Sequence, residues 1–330
     1  MSEKFIIRSA TIDHHGDYTS LNVLENTLIQ LNGEEKIRYL VNHRRDIPPV
    51  GYFDNGEIKE VNSVHHLFME PIAFQNRTSI SWDSTLLSED GGKYISFIKK
   101  EYNDLFQISV DKNNFSNTDV LNEIGRKLND INEGEIVLEL GMRKSLLPDP
   151  QIVFTLASFY SLLKPLLSKM GEKFAEEIAD DLYKTSKSNF KKIINKVLES
   201  ARILRKDMIP KNKILHTIFE IPGMPYIELH VKSDEVNRIE KGLRPSNLLK
   251  VHKKVASLQR QLNIGEIHFV LNAKDNWDLS YLITEEGKII GTKTAFNKRD
   301  KLFERIQLSP TKAFSVGADS VQYDKSPIIR

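Results

Sequence analysis

The run Leu146-Leu147-Pro148-Asp149-Pro150 (LLPDP) decides how the rest of the chain is read. Two prolines bracket an aspartate, and each fixes its own φ while restraining the residue before it. Neither a helix nor a strand is expected to pass through. At 330 residues the chain exceeds the usual size of one core, so this run is read as a domain boundary. Residues 1–147 are read as one domain, 148–213 as a helical segment, 214–309 as a small domain and 310–330 as a tail.

Upstream, strand and helix signals interleave. Phe5–Thr11 reads as a strand, and Leu21, Leu24, Leu28 and Leu31 recur at helical spacing within Ser20–Asn32. Ile37–Asn42 is a strand, Arg44–Gly51 a loop, and Glu57–Val64 and His66–Phe74 two further strands. Gln75–Gly92 reads as a polar loop, Tyr94–Tyr102 as a short helix and Phe106–Val110 as a strand. Thr118–Asn129 follows as a helix, and Glu135–Glu139 opens a last strand.

Downstream, Pro150 is expected to release a helix, with Ile152–Met170 apolar almost all round. Phe190, Ile193, Ile194, Val197, Leu198, Ala201 and Leu204 recur at steps of 3 and 4, which predicts an amphipathic helix. Strands are predicted at His216–Ile221, Tyr226–Val231, Glu266–Leu271, Trp277–Thr284 and Lys288–Phe296. The last two are joined by a turn at Glu285-Glu286-Gly287, and Ser246 is read as the cap of a helix reaching about Leu262. Trp277 and Tyr281 share a strand face and read as core aromatics. The fold class is therefore α+β: an N-terminal mixed α/β domain, a central helical segment and a C-terminal antiparallel α+β unit.

Composition narrows the chemistry. Hydrophobic residues at 40% and charged residues at 28% are those of a globular protein. No cysteine is present, so disulfides, thiolate nucleophiles and thiolate metal sites are excluded. That absence and the lack of a leader-like apolar stretch in MSEKFIIRSATID lead to the expectation of a cytoplasmic protein. Gln151–Leu163 is too short to cross a bilayer. A net charge of +2 means that any attraction to polyanions is local.

Three residues of the first domain are candidates for acyl-transfer chemistry. His43 ends an apolar strand before a charged loop, where an imidazole reaches the rim of a sheet. Ser109 lies within the strand FQISV, and Glu139 within the apolar strand IVLEL, where a carboxylate is costly without a partner. A serine hydroxyl needs an imidazole to take its proton, and that imidazole needs a carboxylate to fix its tautomer. Each also has a structural reading: a hydrogen-bonding surface histidine, a strand serine, and a salt bridge from Glu139 to a cation such as Arg143.

The order of elements resembles the prohead protease family of tailed phages, whose fold is similar to the herpesvirus assemblin proteases. The resemblance rests on IIRSATIDHHGDYTSLNVLENTL, YLVNHRRDIPPVGYF, GGKYISFIKKEYNDLFQISV and IVLELGMRKSLLPDP, and covers roughly residues 5–150. It implies a prohead-protease-like barrel domain and a serine peptidase acting on a protein substrate, self-processing near Leu146–Pro150 being one form. His43 would be the base, Ser109 the nucleophile and Glu139 the third member. The chain departs from the family at Ser109-Val110-Asp111, where the family has a small residue and glycine after the serine; Asp111 would oppose an oxyanion. Ser79, Ser81 and Ser84 compete as nucleophiles, and an inactive, binding-only version of the fold is the alternative.

Other clusters are weaker. Asp13, His14, His15 and Asp17 fall in a turn, where adjacent histidines diverge, and His65-His66 alternate across a strand, so neither pair is read as a metal site. No phosphate loop is present, and no cofactor is expected. Residues 182–213 hold ten Lys or Arg against two acidic residues. That stretch is either a solvated helix face or a contact for an anionic membrane. Aromatic interleaving is thin there, so nucleic acid is not an expected partner. The sequence does not specify an oligomeric state.

Overall fold

The structure is a computed structural model. It describes residues 4–12, 18–33, 36–41, 43–74, 76–79, 85–89, 106–131, 136–141, 150–156, 174–307 and 316–317. Helices and strands are both abundant, and the class is α+β. The chain forms two compact units, each discontinuous in sequence: Met1–Phe97 with Lys144–Leu146 and Tyr281–Ser320, and Ile98–Arg143 with Leu147–Ser280 and Val321–Arg330. Residues on either side of Leu147 thus contribute to both units. The expected helix at 94–102 and the LLPDP run before Pro150 lie outside the described residues. Among those described, no helix is long and apolar enough to cross a membrane.

The first unit is built on a five-stranded sheet in the order β1 (Phe5–Ser9), β4 (Val64–Ala73), β3 (Gly51–Val61), β2 (Arg38–Val41), β15 (Val316–Gly317). Strands β3 and β4 meet at Asn62-Ser63, both with positive φ (52° and 63°), as a two-residue hairpin turn requires. Gly51 is obligatory where β3 meets β4, since a Cβ there would lie 1.8 Å from the Ile72 carbonyl oxygen. Helix α1 (Leu21–Leu31), capped by the Ser20 side chain, sets Leu24 and Leu31 into a core with Tyr39, Val41, Phe53, Leu67 and Met69. The expected loop is corrected in part. Asn76–Ser79 (β5) and Thr85–Glu89 (β6) pair as antiparallel strands, and β6 pairs with β14 (Ile289–Thr292). Cross-strand pairing overrides the polar composition of that stretch.

Two corrections concern the end of the chain. The expected strand Lys288–Phe296 stops at Thr292, and Lys293–Gln307 is a helix that buries Phe296. The expected tail supplies β15, whose Val316 and Gly317 pair with Val41 and Leu40.

The second unit carries a sheet in the order β12 (Ile264–Leu271), β11 (Tyr226–Lys232), β10 (His216–Ile221), β9 (Gln151–Thr155), β7 (Phe106–Asp111), β8 (Ile136–Gly141). The residues after Pro150 are therefore a strand, not the start of a helix. QIVFT is short, rich in β-branched and aromatic residues, and buried throughout, so periodicity alone cannot separate the two readings. The expectation of an antiparallel C-terminal unit is corrected in part, since β10 and β11 pair antiparallel but β11 and β12 do not. Strand β9 runs parallel to β10, and β11 parallel to β12. Helices α4 (Val236–Gly242) and α5 (Pro245–Gln259) occur between β11 and β12, as a parallel connection demands. Helix α5 starts on Pro245 with Arg244 as cap residue, without a side-chain capping bond from Ser246. The amphipathic helix is present as α3 (Phe174–Asp207), with Val197, Leu198, Ala201 and Leu204 buried.

Register gives this sheet two chemically distinct faces. Ile108, Phe154, Phe219, Leu229 and Phe269 form one transverse row, and Phe154 stacks between Phe106 and Phe219 with centroids 5.9 and 5.6 Å away. The neighbouring row, on the opposite face because strand side chains alternate, is Gln107, Thr155, Glu220, Glu228 and His268. A buried sheet face carrying carboxylates and imidazoles is costly unless those groups satisfy one another or bind something.

Candidate metal centre

The polar face centres on two triplets of the same form. Glu228-Leu229-His230 lies on β11 and Glu266-Ile267-His268 on β12. Alternation points the Glu and His of each triplet to one face and the apolar residue between them to the other. The parallel register is offset by two residues, so Glu228 is opposite His268 while Glu266 is opposite Tyr226. His216 and Glu220 of β10 extend the same face on the far side of β11, where Glu220 is opposite Glu228.

Three side-chain atoms converge. Glu228 Oε2 lies 3.3 Å from His230 Nε2 and 3.2 Å from His268 Nδ1, and the two ring nitrogens are 3.1 Å apart. All three side chains are 0% exposed. A first-row ion with bonds of about 2.0–2.1 Å holds its donors ~2.9 Å apart at octahedral right angles and ~3.3 Å apart in a tetrahedron. The triangle's sides of 3.1, 3.2 and 3.3 Å fall within that span.

The outer groups complete the pattern. Glu266 Oε1 contacts His268 Nε2 at the side of the ring away from the triangle. His216 Nε2 lies 3.1 Å from His230 Nδ1, again on the outer nitrogen. Ligand histidines commonly present one nitrogen to the ion and give the other to a carboxylate or another acceptor. Beside Glu228, the Thr155 hydroxyl donates to Glu220 Oε2 at 2.8 Å. Imidazole and carboxylate donors favour zinc, iron, cobalt or nickel over the all-oxygen preferences of calcium and magnesium.

The residues singled out from sequence fall elsewhere. Ser109 and Glu139 are opposite one another on the parallel strands β7 and β8, so the fold brings that pair into register. Ser109 is 4% exposed and lies on the polar face, in the row Ser109, Val153, Ile218, His230. Asp111 is engaged locally, accepting from the Asn113 amide at 2.9 Å to cap a short 3-10 turn. His43 belongs to the first unit, in a turn after β2 with φ 54°, while Ser109 and Glu139 belong to the second. Ser79 is exposed on β5; Ser81, Ser84 and the cluster from Asp13 to Asp17 lie outside the described residues. Of the His65-His66 pair, His66 Nδ1 is 2.7 Å from the Ser9 hydroxyl across β1 and β4.

The cationic stretch is also placed in part. On α3 the apolar stripe Ile194, Val197, Leu198, Ala201 and Leu204 is interior to the second unit, leaving Lys191, Lys192, Arg202 and Lys206 exposed. That stripe is core, so any anionic surface would meet the charged side chains alone.

Histidines adjacent in the chain stand out in the sequence, whereas His230 and His268, each two residues after a glutamate on a strand, do not. The signal was the repeated Glu-x-His, since only residues two apart on a strand share a face. Comparison of the chain with protein-family models, with curated proteins and with solved structures finds no match.

Proposed function

We propose that the chain is a metal-binding protein whose second unit holds one divalent first-row transition ion through Glu228, His230 and His268. The supporting observation is the donor triangle, with sides of 3.1, 3.2 and 3.3 Å. Complete burial of the ligands favours a closed site in which the ion clamps β11 to β12, rather than an open site that keeps a position for substrate. Elemental analysis of purified chain after dialysis against zinc tests it. One equivalent of tightly held ion is expected, with loss of that equivalent in Glu228→Gln and in His268→Ala. Wild-type protein that retains none would sink the reading.

A second reading, a serine peptidase with a prohead-protease-like first domain, draws on the family resemblance and on the register of Ser109 with Glu139. It expects a fluorophosphonate probe to label the chain and Ser109→Ala to abolish labelling. Label retained in that variant would end it.

A further inference from the structure

We infer that the two ligand imidazoles bind the ion through different ring nitrogens, His230 through Nε2 and His268 through Nδ1, because His216 and Glu266 hold the other two. This deepens the metal-centre reading and rests on it. A neutral imidazole carries one N–H and offers its bare nitrogen to a metal, so whatever fixes the proton selects the ligand atom.

For His268 the selection comes from Glu266. A carboxylate only accepts, so its contact with His268 Nε2 holds a ring proton there, and Nδ1 is the nitrogen left to bind an ion. That nitrogen is the one facing Glu228 Oε2 at 3.2 Å. Glu266 is a positioning residue: it touches the ring and not the ion.

For His230 the selection is conditional. Without a metal the three rings can form a directed file, His216 Nε2–H to His230 Nδ1, His230 Nε2–H to His268 Nδ1, and His268 Nε2–H to Glu266. An ion at the triangle needs a bare Nε2 on His230. The proton then moves to Nδ1 and donates to His216 Nε2 at 3.1 Å, and His216 carries its own proton on Nδ1. Loading therefore inverts the tautomers of His230 and His216 and leaves that of His268 unchanged. The imidazole protons are conserved in number.

The test is long-range 1H–15N correlation spectroscopy of the ring nitrogens in the full-length chain, chelator-stripped and zinc-loaded. The expected result is His230 passing from Nε2–H to Nδ1–H on loading while His268 stays Nε2–H throughout. Glu266→Ala is expected to weaken zinc binding roughly 10- to 100-fold, with part of the loss restored in Glu266→Gln, which keeps an acceptor. Failure of the wild type to take up zinc would overturn the metal reading itself. Zinc uptake with both rings bound through the same nitrogen, or with the His230 tautomer unmoved, would overturn this inference alone. The wild-type spectra decide the matter even where a variant does not fold.

Discussion

Glu228 on β11 and His268 on β12 are opposite one another in parallel register, which brings Oε2 and Nδ1 to 3.2 Å in a fully buried setting. The two residues are separated in sequence by helices α4 and α5. An ion held between them ties the two ends of that crossover together.

Metal removal should therefore destabilise the protein. A ligand that binds only the folded state stabilises it by about 4 kcal/mol when present at a thousandfold excess over its dissociation constant. Calorimetry should show a higher Tm with zinc than with a chelator, and no such difference in His268→Ala.

The apolar face of the same sheet gives a prediction independent of any ion. Phe154 and Phe219 are fully buried, with ring centroids 5.6 Å apart. Phe219→Ala leaves a cavity and should cost about 3–5 kcal/mol, read from denaturant unfolding.

In the first unit, Gly51→Ala should be severely disruptive. The added methyl meets backbone rather than a yielding side chain: the Ile72 carbonyl oxygen at 1.8 Å, its carbon at 2.7 Å and the Ala73 Cα at 2.9 Å. The loss should reach or exceed the upper end of the about 1–3 kcal/mol usual for overpacking, seen as lower Tm or insoluble protein.

Tyr39 sets an alkaline limit. Burial pushes its hydroxyl from 10.0 up to about 12. The folded state thus holds the proton more tightly, so the associated stability is complete below pH 10 and is lost as pH rises toward 12. That difference corresponds to about 2–3 kcal/mol. Unfolding free energies measured from pH 9 to 12 should fall in the wild type and fall less in Tyr39→Phe.

Much of the framework was legible because period and turn chemistry agree locally. Leu21–Leu31, Phe106–Asp111 and Trp277–Thr284 lie where spacing placed them. The misses share one cause, tertiary context. Gln151–Thr155 is buried on both faces, so this strand resembles the start of a buried helix. Asn76–Ser79 looks like loop until a partner strand supplies its hydrogen bonds. The candidate site was hidden for the same reason. Each Glu-x-His is unremarkable alone, and only the register of β11 with β12 brings Glu228, His230 and His268 into one triangle.

The most direct test of the central claim is anomalous diffraction at the zinc edge from crystals of zinc-loaded protein. The account predicts one dominant peak about 2.0–2.2 Å from Glu228 Oε2, His230 Nε2 and His268 Nδ1. Zinc-loaded crystals with no peak there, or with density only at surface residues, would contradict it.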